Sequence, residues 1–300
     1  MSLPRQILPD ATHFLTRRCA HRQFLLRPDP LLNHCVLYCI AVAAQRTGVL
    51  FHAFCVMSNH WHAVLTDPHA RLPECMAWAH GYIARCLNLH HHRSENLWDP
   101  REYSAVALEH PDDVLDKMVY VLSNPVQAEL VPRATDWPGV HSARLAFGGP
   151  PLEVSRPPVY FRADGTAPDT ASLALVRPPQ FAHLSDADFS RMLHDRLAHV
   201  EQLVHSRLQA HGRRFLGPRR CLNTRPTDRP KNPEPRPALS PRVAARDAEL
   251  RKAMLARRRD FVAAYRDAFE RWRDGDRNVQ FPPGTDWMRL PHRVRCRAPT

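Results

Sequence analysis

Between positions 50 and 67 the chain carries two apolar, β-rich runs, Leu50 to Met57 and His60 to Asp67, parted only by Ser58 and Asn59. Such runs on either side of a two-residue polar break predict a tight hairpin. Side chains alternate along a strand, so His60 and His62 share one face while Trp61, Ala63 and Leu65 share the other. Upstream, His13 to Arg18 predicts a short strand ending in two arginines. Pro30 then opens an apolar helix through Leu31, Leu32, Val36, Cys39, Ile40 and Ala43, closed by Gly48. Downstream, a helix over 72–90 sets Cys75, Trp78, Tyr82, Cys86 and Leu89 along one stripe, and Glu102 to Leu108 predicts a fourth strand. A third helix starts at Pro111-Asp112-Asp113, where acids suit the positive helix end. It is expected to stop near Ser123, because Pro125 disfavours helical geometry at Asn124.

The order strand, helix, strand, strand, helix, strand, helix predicts an α+β fold: a ferredoxin-like, split βαβ antiparallel sheet with helices on one face. Residues 1–149 form this first unit. Seven prolines between 150 and 180 predict a linker. Residues 181–300 read as a mainly helical, basic extension. It holds a helix from Asp186 to His211, a long amphipathic helix from Ala244 to Asp274, and between them an extended Pro/Arg-rich arm at 213–246.

Charge sharpens the division. Residues 1–150 hold 13 Lys+Arg and 13 Asp+Glu, so the whole formal excess of +12 lies in the second half. Within 213–246 there are ten basic residues against two acidic ones, which points to an anionic partner for that part. The eight cysteines include no Cys-x-x-Cys pair of the kind structural zinc sites use, and reduced, buried thiols are expected. The longest apolar run, Cys35 to Ala44, is far too short to span a bilayer; a soluble, cytoplasmic protein with no membrane partner is expected.

The histidine hairpin is where chemistry enters. Two imidazoles converge from a strand expected to be central, where an unpaired polar side chain is costly without a partner or a ligand. A metal and a pair of ordinary hydrogen-bonded histidines both satisfy that pattern. On the third helix, Tyr120 and Asn124 form an i,i+4 pair facing one direction. A phenol beside a carboxamide suits phosphodiester cleavage, and a half-buried core tyrosine with a helix-capping Asn suits the same spacing.

Met57-Ser58-Asn59-His60-Trp61-His62, followed by Tyr120-Val121-Leu122-Ser123-Asn124-Pro125-Val126 and then Asp136-Trp137-Pro138, resembles the HUH single-tyrosine transposases, the REP-associated tyrosine transposase type in particular. The resemblance covers about residues 10–145, with Glu129 standing where the family usually has Gly. It implies a divalent metal, Mg²⁺ or Mn²⁺, on His60, His62 and Asn124, with Tyr120 as nucleophile. The implied reaction is DNA strand transfer, as in transposition, through a 5′-phosphotyrosine on single-stranded or hairpin DNA. Apart from the resemblance, Arg17 and Arg18 at the end of the first strand and Arg213, Arg214, Arg219 and Arg220 of the basic arm are the candidate DNA-binding residues. A homodimer is compatible with it, and whether Tyr120 acts in its own subunit stays open. The rival reading is a catalytically silent DNA-binding protein derived from a transposase. A ferredoxin-like RNA-binding module would carry a Lys/Arg-Gly-Phe signature, which the sequence lacks.

Overall fold

Four antiparallel strands, β1 (Ala11–Arg18), β2 (Leu50–Met57), β3 (His60–Asp67) and β4 (Ser104–Leu108), form a sheet in the order β2-β3-β1-β4. The computed structural model describes residues 4–101, 103–162, 164–231 and 242–298. Glu102, expected at the start of β4, lies outside the described residues. The two helices of the βαββαβ unit, α1 (Pro30–Thr47) and α2 (Leu72–His90), pack with Leu15, Phe51, Phe54, Trp61 and Leu65 on one face. Asp29 caps α1 through its carboxylate, and Gly48 closes it at φ 75°, a conformation that favours glycine. The third helix, α3 (Pro111–Gln127), covers the opposite face over Ala53, Cys55, Met57 and Val64. Helices therefore lie on both faces once α3 is counted.

The expected end of α3 near Ser123 is corrected by four residues, for the helix runs through Pro125 to Gln127. Proline in the last turn removes only the donor that Val121 would have received. The Ala128 amide still reaches the Asn124 carbonyl at 2.9 Å.

The linker expected at 150–180 is instead part of the core. A hairpin of β5 (Leu152–Ser155) and β6 (Thr170–Leu173) packs on α1, with Val154, Ala171 and Leu173 buried. Prolines mark its irregular stretches, while the alternating apolar residues of β5 and β6 supply the anchor. Next, α4 (Asp186–Ala210) buries Phe189, Leu193, Leu197, Val204 and Leu208 against α3. At about 2 kcal/mol per buried side chain, those five together represent about 10 kcal/mol, comparable with the whole stability of a domain. A truncation after Gly149 is therefore expected to be insoluble or molten, checked by expression and near-UV circular dichroism; a cooperative, soluble product would contradict this packing. The long helix α5 (Ala248–Arg273) ends against a small core of Ala268, Val279, Phe281, Met288 and Val294, tied to the N-terminal segment by the Ile7 amide on the Gly284 carbonyl at 2.9 Å.

Both outer strands are paired beyond the sheet. Val176 and Val140 bond to Phe51 and Val56 of β2, and residues 242–244 bond to Ala107 of β4. All eight cysteines are free thiols, seven of them buried, and no described helix is long and apolar enough to cross a membrane.

Burial lowers the pKa of His52 and His141 to about 4 and of His80 to about 3. Each stays neutral in the fold while its unfolded counterpart takes a proton below about pH 6.5. Stability from these groups is thus complete above pH 6.5 and is lost as pH falls towards 4, by up to about 3 kcal/mol per histidine. Urea midpoints are expected to drop between pH 7 and pH 5; equal midpoints would contradict neutral burial.

Candidate active site

The β2–β3 turn at Ser58-Asn59 delivers His60 and His62 to the face covered by α3, and alternation sends Trp61 to the other side. There the Trp61 indole donates to His80 Nε2 at 3.2 Å, which anchors the strand from behind. β3 is central, and the register sets Thr16 opposite His62 and Arg18 opposite His60. On α3, Tyr120 and Asn124 lie one turn apart, facing the same strand. Tyr120 is 37% exposed and Asn124 is buried. His60, His62, Tyr120 and Asn124, distant in sequence, line one cavity of about 690 Å³.

Hydrogen bonds fix the imidazoles. The Asn59 amide nitrogen donates to the Arg22 carbonyl at 3.2 Å, which turns its oxygen towards His60. That oxygen can only accept, so His60 Nδ1 carries the proton across the 2.7 Å contact and Nε2 presents a lone pair. The Thr16 hydroxyl occupies Nδ1 of His62 at 2.8 Å, leaving Nε2 for a ligand. Burial, seconded by the Arg18 charge, lowers the His60 pKa to about 4, and a hydrogen bond with Asn124 opposes this. Burial and the neighbouring His60 hold His62 well below its ordinary value. The ring centroids of the pair are 4.7 Å apart. Two neutral imidazoles beside a buried carboxamide are a donor set a divalent ion accepts. Among the described residues no three His, Cys, Asp or Glu side chains meet in such a cluster, so a metal here would depend on Asn124 as the third donor.

Tyr120 is held by rings: His62 at 5.4 Å and Phe14 at 5.8 Å, both edge-on. The Lys117 ammonium, one turn earlier on α3, stands 5.7 Å from the Tyr120 ring and 5.2 Å from that of Phe14. Thr16, Phe14 and Lys117 escaped the sequence reading. Strand alternation puts Phe14, Thr16 and Arg18 on one face, but which strand they would oppose depends on a register the sequence leaves unmarked. The contacts of Asn59 and Thr16 are of the kind that orients metal ligands. Asn59→Ala and Thr16→Val are each expected to weaken the binding of a divalent ion by this donor set about 10- to 100-fold. Calorimetric titration with Mn²⁺ checks this, and unchanged affinity would remove their role.

The six arginines assigned to DNA separate. Arg18 lines the cavity, whereas Arg17 projects to the other face, its guanidinium 5.6 Å from the Trp98 ring. Residues 213–231 do not extend freely as an arm but fold back as a strap. Leu216 and Gly217 amides bond to Glu129 and Leu130, the Phe24 amide bonds to Asp228, and Arg27 reaches the Leu222 carbonyl. Leu216, Cys221, Thr224 and Pro230 thereby form a wall of the same cavity. Arg213 lines it too, while Arg214, Arg219 and Arg220 are exposed along the strap. Of the rest of the expected arm, 232–241 lies outside the described residues and 242–244 is bonded to Ala107 of β4.

Glu129 has φ 59°, the left-handed backbone that glycine adopts without strain. Its carboxylate pairs with Arg207 at 3.3 Å and with Arg213, so one side chain joins α3, α4 and the strap. A glycine would relax the backbone and lose that junction.

No family model and no curated protein matches the chain. Among solved structures it is similar to a REP-associated tyrosine transposase bound to a REP hairpin, at 19% identity over 47% of this chain and 82% of that one, with a TM-score of 0.40. It is also similar to a protein of Deinococcus radiodurans R1 described as a candidate transposase, at 19% identity over 39% of this chain and 93% of that one, with a TM-score of 0.29.

Proposed function

We propose that this chain is a single-stranded DNA endonuclease and strand transferase that uses Tyr120 as nucleophile and passes through a 5′-phosphotyrosine intermediate. DNA beside hairpin-associated repeats is the proposed substrate. The observation that carries the reading is the meeting of a half-exposed phenol, a buried carboxamide and two neutral imidazoles in one cavity.

In this reading the Tyr120 oxygen bonds to phosphorus as the P–O3′ bond breaks. The phenolic proton leaves to solvent and the departing 3′ oxygen takes one up. One phosphodiester is exchanged for another, and rejoining needs no outside energy. The Lys117 ammonium stands over the Tyr120 ring, and the rings of Phe14 and His62 restrict where Tyr120 can swing. His60, His62 and Asn124 are the proposed ligands of Mg²⁺ or Mn²⁺, which when bound would supply Lewis-acid polarisation of the scissile phosphate. This donor set carries no formal charge, so the phosphate itself supplies the balancing anion. Arg18 and Arg213, on the cavity wall, suit the neighbouring backbone phosphates.

A second reading, a catalytically silent DNA-binding protein, draws on the strap that walls the cavity. Incubation of the full chain with hairpin-bearing single strands and Mn²⁺ separates the two. A denaturation-resistant protein–DNA adduct is expected. DNA binding with no adduct over a broad panel of hairpins would favour the silent protein.

A further inference from the structure

The long helix α5 carries two stripes that repeat at the same interval. Met254, Phe261 and Ala268 are buried, and Lys252, Arg259 and Arg266, each two positions before one of them, are exposed, as is Arg273 one repeat further on. Two positions turn a helical side chain by about 200°, so the cations occupy the face directed away from the rest of the protein. The rings of the helix do not share that face. Tyr265, Phe269 and Trp272 pack on the small core around Phe281, and Leu255 is the large apolar side chain of the helix left in the open. A helix lying on a lipid surface would need such rings on its outer side.

The two middle cations have no acidic neighbour to answer them. Three and four residues from Arg259 stand Leu255, Ala256, Val262 and Ala263. Among the described residues neither the Arg259 nor the Arg266 guanidinium makes an ion pair or a hydrogen bond. By contrast, Arg257 pairs with Glu109 at 2.6 Å, Arg271 pairs with Asp276 at 2.7 Å, and Arg251 reaches the Ala245 carbonyl at 3.0 Å. Val262 and Ala263, between the unanswered pair, are small enough for a partner's surface to come close.

Spacing selects the partner. Along the helix axis Arg259 and Arg266 stand about 10.5 Å apart, close to the roughly 12 Å width that separates two phosphate strands across a major groove. From Lys252 to Arg273 the stripe runs about 31 Å, near the roughly 34 Å of one duplex turn. A rigid rod with charges fixed at these intervals suits the fixed phosphates of a duplex, and a flexible single strand gains nothing from the spacing. Guanidinium groups also match phosphate oxygens in pairs. We propose that the outer face of α5 docks on double-stranded DNA, with Arg259 and Arg266 on phosphates of opposite strands and Lys252 and Arg273 beyond them. The proposal rests on the DNA reading above, to which it adds the stem of the hairpin, and its test does not pass through Tyr120.

Fluorescence anisotropy of the full chain with a blunt duplex, and with one of its strands alone, tests it over a range of salt. Arg259→Gln together with Arg266→Gln is expected to weaken duplex binding about tenfold at low salt. The slope of log affinity against log salt should become shallower by about 1.8, the share of two phosphates. Both positions are exposed and glutamine is a good helix former, so the double variant should keep the fold. Arg85→Gln with Arg162→Gln removes the same charge from exposed positions outside the helix and is expected to change the slope by less than about half as much. Single-strand affinity in the Arg259, Arg266 double variant should fall by less than about threefold. The absence of duplex binding, an unchanged slope and affinity in the double variant, or an equal loss from the other pair overturns the proposal. So does an equal loss on the single strand, or a loss of binding to phosphatidylserine vesicles with duplex binding intact. Adduct formation by the unaltered protein on a stemless strand reports the Tyr120 reading separately. Duplex binding through these arginines without any adduct would support the docking face while that reading fails.

Discussion

Tyr120→Phe is expected to abolish the covalent DNA adduct, by on the order of a thousandfold or more, while DNA affinity stays within about twofold. The substitution removes one oxygen and keeps the ring that packs against His62 and Phe14, so the cavity wall should persist. The separation of chemistry from binding is what makes the variant informative. Denaturing gels report the adduct, and fluorescence anisotropy with the same strand reports affinity. An adduct that survives in Tyr120→Phe would move the nucleophile to another tyrosine. Tyr82 is the first to test by sequence, although the fold stacks it on Trp78 at 4.1 Å, on the face of the sheet away from His62.

His60→Ala and His62→Ala are each expected to lower cleavage by roughly 10²- to 10⁴-fold, with EDTA producing a loss of similar size in the unaltered protein. Each change leaves a set of three donors with two. His62 carries the greater structural risk, because it is buried within β3 and its partner Thr16 would lose a partly buried hydrogen bond. Cleavage rates are therefore to be read beside unfolding midpoints. If EDTA and both substitutions left cleavage unchanged, the metal reading would fail.

The hairpin, its turn and the opposed faces of His60 and Trp61 were legible because a period of two is written directly in the residues from Leu50 to Asp67. The pairing of Tyr120 with Asn124 was legible as helical spacing, although Pro125 suggested a helix end that tertiary packing overrides. Thr16 and Asn59 were hidden as partners of the histidines, since their roles depend on strand register and on an amide orientation set by the distant Arg22 carbonyl. Proline density misdirected the reading of 150–180, because it reports where chain is irregular and is silent on whether Val154 and Leu173 are buried. Basic composition at 213–231 correctly marks exposed arginines such as Arg214 and Arg220. It carries no trace of the backbone bonds that draw Leu216 and Gly217 onto the end of α3.

The pairing of both outer strands also limits how two copies could meet. A sheet grows into a neighbour only through unsatisfied backbone groups along its border. On β2 those at Phe51 and Val56 are engaged by the chain's own residues 176 and 140, and on β4 those at Ala107 are engaged by residues 242–244. Along these stretches a shared sheet across a two-fold axis would first require stripping away native partners. The phenol and both imidazoles are, moreover, already supplied to one cavity by a single chain.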